Sequence, residues 1–156
     1  RRVMAVIGAT AARAAQSLQT VDIDVDLAND TYKVAGIEYK LAEGTDKAGA
    51  SGIPFVVLPR GARVLGGSVF TQEQIVAGDA VVGIDLLDPD TNTLYFRATD
   101  ARSAGARPMS SQGILQKGQP TNLRLSGATA AKPITKGKIT VNIQFLVSGR
   151  SEYVMG

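Results

Sequence analysis

Three aspartates, Asp22, Asp24 and Asp26, occupy every second position of "VDIDVDL" (Val21 to Leu27), and Asp30 follows close behind. Carboxylates this near in sequence invite a cation site. A calcium loop, however, needs oxygens that converge on one point, which takes a turn with a central glycine and a bidentate glutamate near its end. This stretch supplies neither. The alternation is instead that of an extended strand, with Val21, Ile23, Val25 and Leu27 on one face and the three aspartates on the other. Same-face neighbours then stand roughly 6.5 Å apart. That is too far for three carboxylates to share an ion that takes each oxygen at about 2.4 Å. The expectation is a half-buried strand with a solvated acidic face and no metal.

Other candidate chemistry fares no better. Asp88 and Asp90 form a carboxylate pair of the kind glycosidases use, but across a proline turn, where a solvated role is expected. "GARVLGGS" is glycine-rich but lacks the GK[ST] ending of a phosphate loop. "GAT" at Gly8 and "LSGAT" at Leu125 carry no nucleophile elbow. The chain has no histidine and no cysteine. That removes the commonest general base, the usual partner of a nucleophilic serine, the commonest zinc ligand, thiolate metal sites and any disulfide framework. The expectation is a protein that is not an enzyme and holds no cofactor. Arg102, Arg107, Lys117, Lys132, Lys136 and Lys138 form a basic set, but only Tyr95 and Phe96 lie near it in sequence. Single-strand binders interleave aromatics with their cations, so solvated loops or protein contact are expected here, and no nucleic acid.

The elements that position these residues read as strands throughout. At 156 residues the chain suits one domain with a real core. Aromatics are only 5% and tryptophan is absent, so that core must come from Val, Ile, Leu and Ala. No stretch of eighteen apolar residues exists, and no membrane span is expected. "RRVMAVIGATAARAA" reads as a basic N-terminal arm rather than a signal peptide, because its apolar run is short and Arg13 interrupts the residues after that run. Its continuation, "ATAARAAQSLQ", suits either a short helix or an extended segment lying on a neighbour. Strands are then expected at Val21–Leu27, Thr31–Leu41 with Gly36 as a bulge, and Phe55–Leu58 buried on both sides. Further strands are expected at Ala62–Phe70 with a Gly66-Gly67 break, Ala80–Asp88, Thr93–Asp100, Asn122–Leu125 and Lys138–Ser148. "DPDTN" supplies the turn of the clearest hairpin. "AEGTDKAGASG" (Ala42 to Gly52) reads as a mobile loop, "QEQIVAGD" as a connector and Ala101–Gly113 as a long basic loop. About eight strands with no helical period predict an all-β fold. The reading is a jelly-roll-like β-sandwich over 21–156, preceded by an arm over 1–20.

Charge is segregated along the chain. Residues 1–20 carry three arginines and no acid, 21–90 carry five basic and twelve acidic residues, and 91–156 carry nine basic and two acidic residues. Folding either mixes these segments or leaves a dipolar surface that meets a complementary neighbour.

With no catalytic constellation, three longer stretches remain: "LPRGARVLGGSVFTQEQ", "GDAVVGIDLLDPDTNTLYFRATDA" and "KITVNIQFLVSG". Together they resemble a pattern of tailed-bacteriophage virion proteins. There a strand ending "LP.GA.V" leads into a "GD" strand and a "RATDA"-like strand, and the chain closes on a "TV.I.FLV" strand. The resemblance spans roughly Pro54 to Gly149, with gaps, and is closest in texture to the capsid cement, or head decoration, proteins. It implies a β-sandwich that sits as a homotrimer on the capsid exterior of the virion, clamps neighbouring major capsid protein subunits and catalyses nothing. A tail or fibre-base component of the same virion is the alternative reading. A carbohydrate-binding sandwich is a weaker one, since only eight Phe and Tyr exist and most alternate into the core.

The residues expected at protein interfaces are those with no place in one sandwich. In the arm they are Arg1, Arg2, Val3, Val6, Ile7, Arg13 and Leu18, in the basic loop Arg102 and Arg107, and in the tail Tyr153, Val154 and Met155. Left exposed, the apolar ones would be a liability; against a neighbour they would lock an assembly. For the acidic stretch Val21–Leu27, calorimetry with calcium and magnesium is expected to show no binding to the isolated chain. A micromolar site lost in Asp24→Ala would contradict the strand reading.

Overall fold

The computed structural model describes residues 16–59, 62–109, 113–114 and 120–148. Eleven strands run through them: β1 (Gln16–Asp26), β2 (Thr31–Val34), β3 (Ile37–Lys40), β4 (Ile53–Val57), β5 (Arg63–Val76), β6 (Gly83–Asp88), β7 (Thr93–Ala98), β8 (Gly105–Pro108), β9 (Gly113–Ile114), β10 (Pro120–Ser126) and β11 (Lys136–Ser148). Every pairing is antiparallel. One sheet has the order β1-β11-β5-β8, with β9 also on β5; a second has the order β4-β10-β6-β7; β2 and β3 form a separate hairpin. Setting aside β2, β3 and the two-residue β9 and counting the other eight in chain order, the sheets read 1-8-3-6 and 2-7-4-5. The first strand lies beside the last, and the chain crosses between sheets as two interlocked Greek keys do. This is a jelly roll.

The two sheets share one apolar interior. On β11, Ile139, Val141, Ile143 and Phe145 point into it, while Thr140, Asn142 and Gln144 point outward. Val25, Val64 and Val69 join them from the same sheet, and Ile84, Leu86, Phe96, Leu123 and Leu125 face them from the other. Each such aliphatic side chain contributes about 1.5–3 kcal/mol of burial, against about 1 kcal/mol net for a typical hydrogen bond. The interior, not the outer faces, therefore carries the fold. The charge segments of the sequence are partly mixed by this topology, since acidic β1 pairs with β11, and Asp26 sits opposite Lys138.

Several expectations are corrected by tertiary pairing. β1 begins at Gln16, so residues 16–20 of the expected arm are strand: register with β11 from Gln16 opposite Ser148 outweighs the helix propensity of that stretch. Gly36 is not a bulge. Ala35 (φ 52°) and Gly36 (φ 83°) form the two-residue turn of the β2–β3 hairpin, where both central residues need positive φ. β4 is an edge strand rather than one buried on both sides, and Val57 is 70% exposed. β5 runs unbroken through Gly66-Gly67 and "QEQIV". Gly67 has φ +140°, and a Cβ there would lie 1.9 Å from the Asn142 carbonyl oxygen, so the glycine permits β11 to pair closely instead of breaking the strand. The segment 42–52 is no mobile loop. Leu41, Ala42, Gly44 and Thr45 are buried, Tyr32 Oη donates to the Gly44 carbonyl at 2.9 Å, and the Leu125 amide donates to Thr45 Oγ1 at 3.2 Å. The long basic loop likewise contains β8 and β9, both paired to β5.

One charged cluster ties three strands of the second sheet together. Asp85 on β6 lies opposite Arg97 on β7 and Arg124 on β10. Arg97 Nε donates to its Oδ1 at 3.0 Å and Arg124 Nη2 to its Oδ2 at 2.8 Å, while Arg124 Nη1 reaches back to the Ala50 carbonyl at 2.9 Å. The Asp85 side chain is only 12% exposed, so the two guanidinium groups supply the hydrogen bonds that water otherwise would. Asp85→Ala leaves two guanidinium groups facing each other across the strand. It is expected to cost about 3 kcal/mol and lower Tm by roughly 6–12 °C in thermal unfolding. A shift under about 2 °C would make the cluster an ordinary surface pair.

Candidate assembly surfaces

The acidic face of β1 is built as spaced, separately satisfied carboxylates. Asn142 Nδ2 donates to Asp22 Oδ1 at 2.8 Å, and Thr140 Oγ1 donates to Asp24 Oδ1 at 2.6 Å, with Gln72 Nε2 bonding to the same threonine. Asp26 turns away to cap the following turn. Its Oδ1 accepts from the Ala28 amide at 3.1 Å and its Oδ2 from Asn29 Nδ2 at 2.9 Å, a bond that holds the Asp26 carboxyl below its ordinary pKa. Among the described residues no three metal-ligating groups converge. The face is a polar ladder across β1, β11 and β5, interrupted by Phe70, which is 43% exposed.

Arg102 and Arg107 are held at the other edge of this sheet. Arg102 forms a two-pronged pair with Asp100: Nε to Oδ1 at 2.9 Å and Nη2 to Oδ2 at 2.9 Å, with its own amide on Oδ1 at 3.2 Å. Arg107, on β8, donates from Nη1 to Thr71 Oγ1 at 3.1 Å and from Nη2 to the Ser103 carbonyl at 3.0 Å. Arg102 thus fixes the local turn at 100–102, and Arg107 braces the segment against β5 through Thr71. A partner carboxylate would compete with these bonds at Arg102. It would find one acceptor pair already made at Arg107, which keeps donors to spare.

The ends of the described chain meet at one corner. Gln16 pairs with Ser148, and two residues inward Leu18 pairs with Leu146. Leu18 is 60% exposed and Leu146 half-buried, so this corner is apolar. Arg1, Arg2, Val3, Val6, Ile7, Arg13, Tyr153, Val154 and Met155 lie outside the described residues. The segments that carry them join the sandwich at this shared corner, which the sequence alone had left far apart.

A second feature was invisible in the sequence. β1 and β4 are edge strands of different sheets, and they flank a cleft of about 590 Å³ on one open side of the sandwich. Val25, Tyr32, Leu41, Ile53 and Leu123 form its apolar floor, with Ile23 and Phe55 partly exposed on its walls and Asp24, Asp30 and Lys33 at its rim. The hairpin β2–β3 closes one end, its Tyr32 and Tyr39 rings 5.8 Å apart. No sequence period announces such a cleft, because its two walls are neighbours only through the jelly-roll crossing.

An antiparallel fold of two four-stranded sheets in this order belongs to the class of jelly-roll β-sandwiches. The comparisons agree on the fold. The chain is similar in structure to a chain in the acidic stable capsid structure of Helicobacter pylori bacteriophage KHP30, at a TM-score of 0.55 and 12% identity, over 85% of this chain and 91% of that one. It is similarly related to a chain in the cyanophage Pam1 capsid asymmetric unit, at a TM-score of 0.54 and 16% identity, over 85% and 86%. No family model matches the sequence, and no curated protein matches it.

The Asp100–Arg102 pair has a measurable signature. The bond to Arg102 draws the Asp100 carboxyl down to about 2 from 3.8. A depressed carboxylate pKa means the pairing is intact above about pH 4 and is lost as pH falls through about 2. Carboxyl chemical shifts of Asp100 are expected to titrate near 2 in the native chain and to return toward the ordinary value in Arg102→Ala. An unchanged titration in that variant would show that the pair does not form in solution.

Proposed function

We propose that this chain is a structural component of a phage capsid. In this reading it sits on the exterior of the head as a homo-oligomer, most simply a trimer, and bridges neighbouring major capsid protein subunits without catalysing a reaction. The observation that carries the proposal is the jelly roll shared, over 85% of this chain, with chains of two phage capsid structures. In both cases the match spans most of each chain. The capsid setting of both neighbours favours head over tail. The resemblance of "KITVNIQFLVSG" and its companion stretches to head decoration proteins supports the cement role.

The physical logic of such a role is mass action. A protein that binds the assembled shell and not its free subunits stabilises the shell by its binding free energy at every site. The groups proposed to make the contacts are the arm and tail residues Arg1, Arg2, Val3, Val6, Ile7, Arg13, Leu18, Tyr153, Val154 and Met155, together with Arg102 and Arg107. Arginine suits a shell contact because its guanidinium takes a carboxylate with two hydrogen bonds. The fifteen residues before β1 reach roughly 50 Å when extended, enough to cross onto a neighbour.

The test mixes the purified chain with heads that lack it, then measures occupancy and the temperature at which heads rupture. Saturable binding and a rise in that temperature of several degrees are expected. No binding to heads, with binding to isolated tails instead, would replace the capsid role with the tail-component reading.

A further inference from the structure

We infer that the cleft between β1 and β4 is the seat of an exchanged arm: the segment Val3–Ile7 of a second copy of this chain lies in it as an added strand. The inference deepens the oligomeric part of the proposed function and rests on the chain being an assembly component. Shape, charge and chain direction all lead to it.

The cleft is shaped for extended chain. Its two walls are edge strands, among the described residues β1 paired only to β11 and β4 only to β10, so each presents backbone groups along its outer edge, apart from Pro54 on β4, which has no N–H to donate. Its floor is apolar, and Ile23 and Phe55 remain partly exposed on its sides. An added strand satisfies the backbone groups through one wall and places alternate side chains on the floor.

The rim is acidic. Asp24 and Asp30 stand there against one cation, Lys33, so the rim carries a net negative charge. The arm carries Arg1, Arg2 and Arg13 and no acid, flanking the apolar run Val3, Met4, Ala5, Val6 and Ile7. The tail that leaves from the same corner carries one Arg and one Glu after Ser148, so it offers no such charge match. Opposite charge favours the arm over the tail as occupant.

The occupant must come from another copy. Residue 16 opens β1 at the Ser148 corner, while Ile23 and Asp24 lie seven and eight residues further along the strand. For its own arm to fill the cleft, the chain must reverse immediately before β1. Residues 9–15, ATAARAA, contain no Gly, Pro, Asn or Asp to make that turn. A reversal at Gly8 would lay residues 3–7 beside 9–13, still short of β1. Continuing outward, the arm reaches roughly 3.3 Å per residue into a neighbour's space.

The chain has no native cysteine, so single introduced thiols report the contact without background. Full-length Val6→Cys is mixed with full-length Phe55→Cys or Ile23→Cys and oxidised, with Val81→Cys as an exposed position outside the cleft. Disulfide-linked pairs are expected with Phe55→Cys and Ile23→Cys at least tenfold above Val81→Cys, and the Val6→Cys, Phe55→Cys double variant is expected to link into multimers. Equal linking to Val81→Cys, or none to either cleft position, overturns the inference. So does an internally linked monomer from the double variant, or stronger linking from Val154→Cys than from Val6→Cys. The experiment uses no heads. Loss of cross-linking with head binding intact removes the arm assignment alone, and cross-linking without head binding removes the capsid role alone.

Discussion

The structure depends on the pairing of the last strand with the first. β11 lies between β1 and β5, and its thirteen residues alternate between the sandwich interior and the outer polar face over most of their length. Without that pairing Val25 would lose its place in the core, and β1 would have no partner in its sheet. The same contact brings Gln16 beside Ser148, so the segments before and after the described sandwich attach at one point. Fold closure and the attachment point of both terminal segments are therefore one constraint. The strand that completes the core also decides from where the arm and tail set out.

Around that closure, the two kinds of surface follow from different energies. The outer face of β1, β11 and β5 is a ladder of short polar bonds between Asp22, Asn142, Asp24, Thr140 and Gln72, each solvated and individually weak. It offers little apolar area to a partner. The open side between β1 and β4 offers the reverse, with an apolar floor and edges that have backbone groups to spare. A jelly roll leaves four such edge strands; here β8 carries Arg107 and Pro108 and β4 carries Pro54, while β1 has no proline. An edge left unblunted is a site for strand addition or a liability for aggregation.

Much of the fold was legible because its periods are strong. The alternation of Val21–Leu27 and of Ile139–Val147, and the turn residues of "DPDTN", place two of the principal strands and one hairpin, although β1 starts earlier, at Gln16. The misreadings share one cause. Gly36, Gly66 and Gly67 each looked like an interruption, yet one makes a hairpin turn and the other two lie inside a continuous strand; only the partner strand tells these apart. The apolar run Phe55–Leu58 reads as a strand buried on both sides, but the crossing topology puts β4 at an edge. Residues 42–52 look mobile by composition, but Thr45 and Gly44 are fastened to β10 and to Tyr32 by contacts distant in sequence. The same holds at the surface. Arg102 and Arg107 were visible as charges, while their commitments to Asp100, Thr71 and Ser103 were not. The cleft could not be seen at all, because no single stretch of sequence contains both of its walls.

The most direct measurement of the central claim is a density map of the virion that carries this chain, resolved well enough to trace strands. The account requires a jelly roll of these strands at symmetry-related positions on the outer head surface, each contacting two or more shell subunits. Density for the chain confined to the tail, or on the head but touching a single shell subunit at every position, would contradict it.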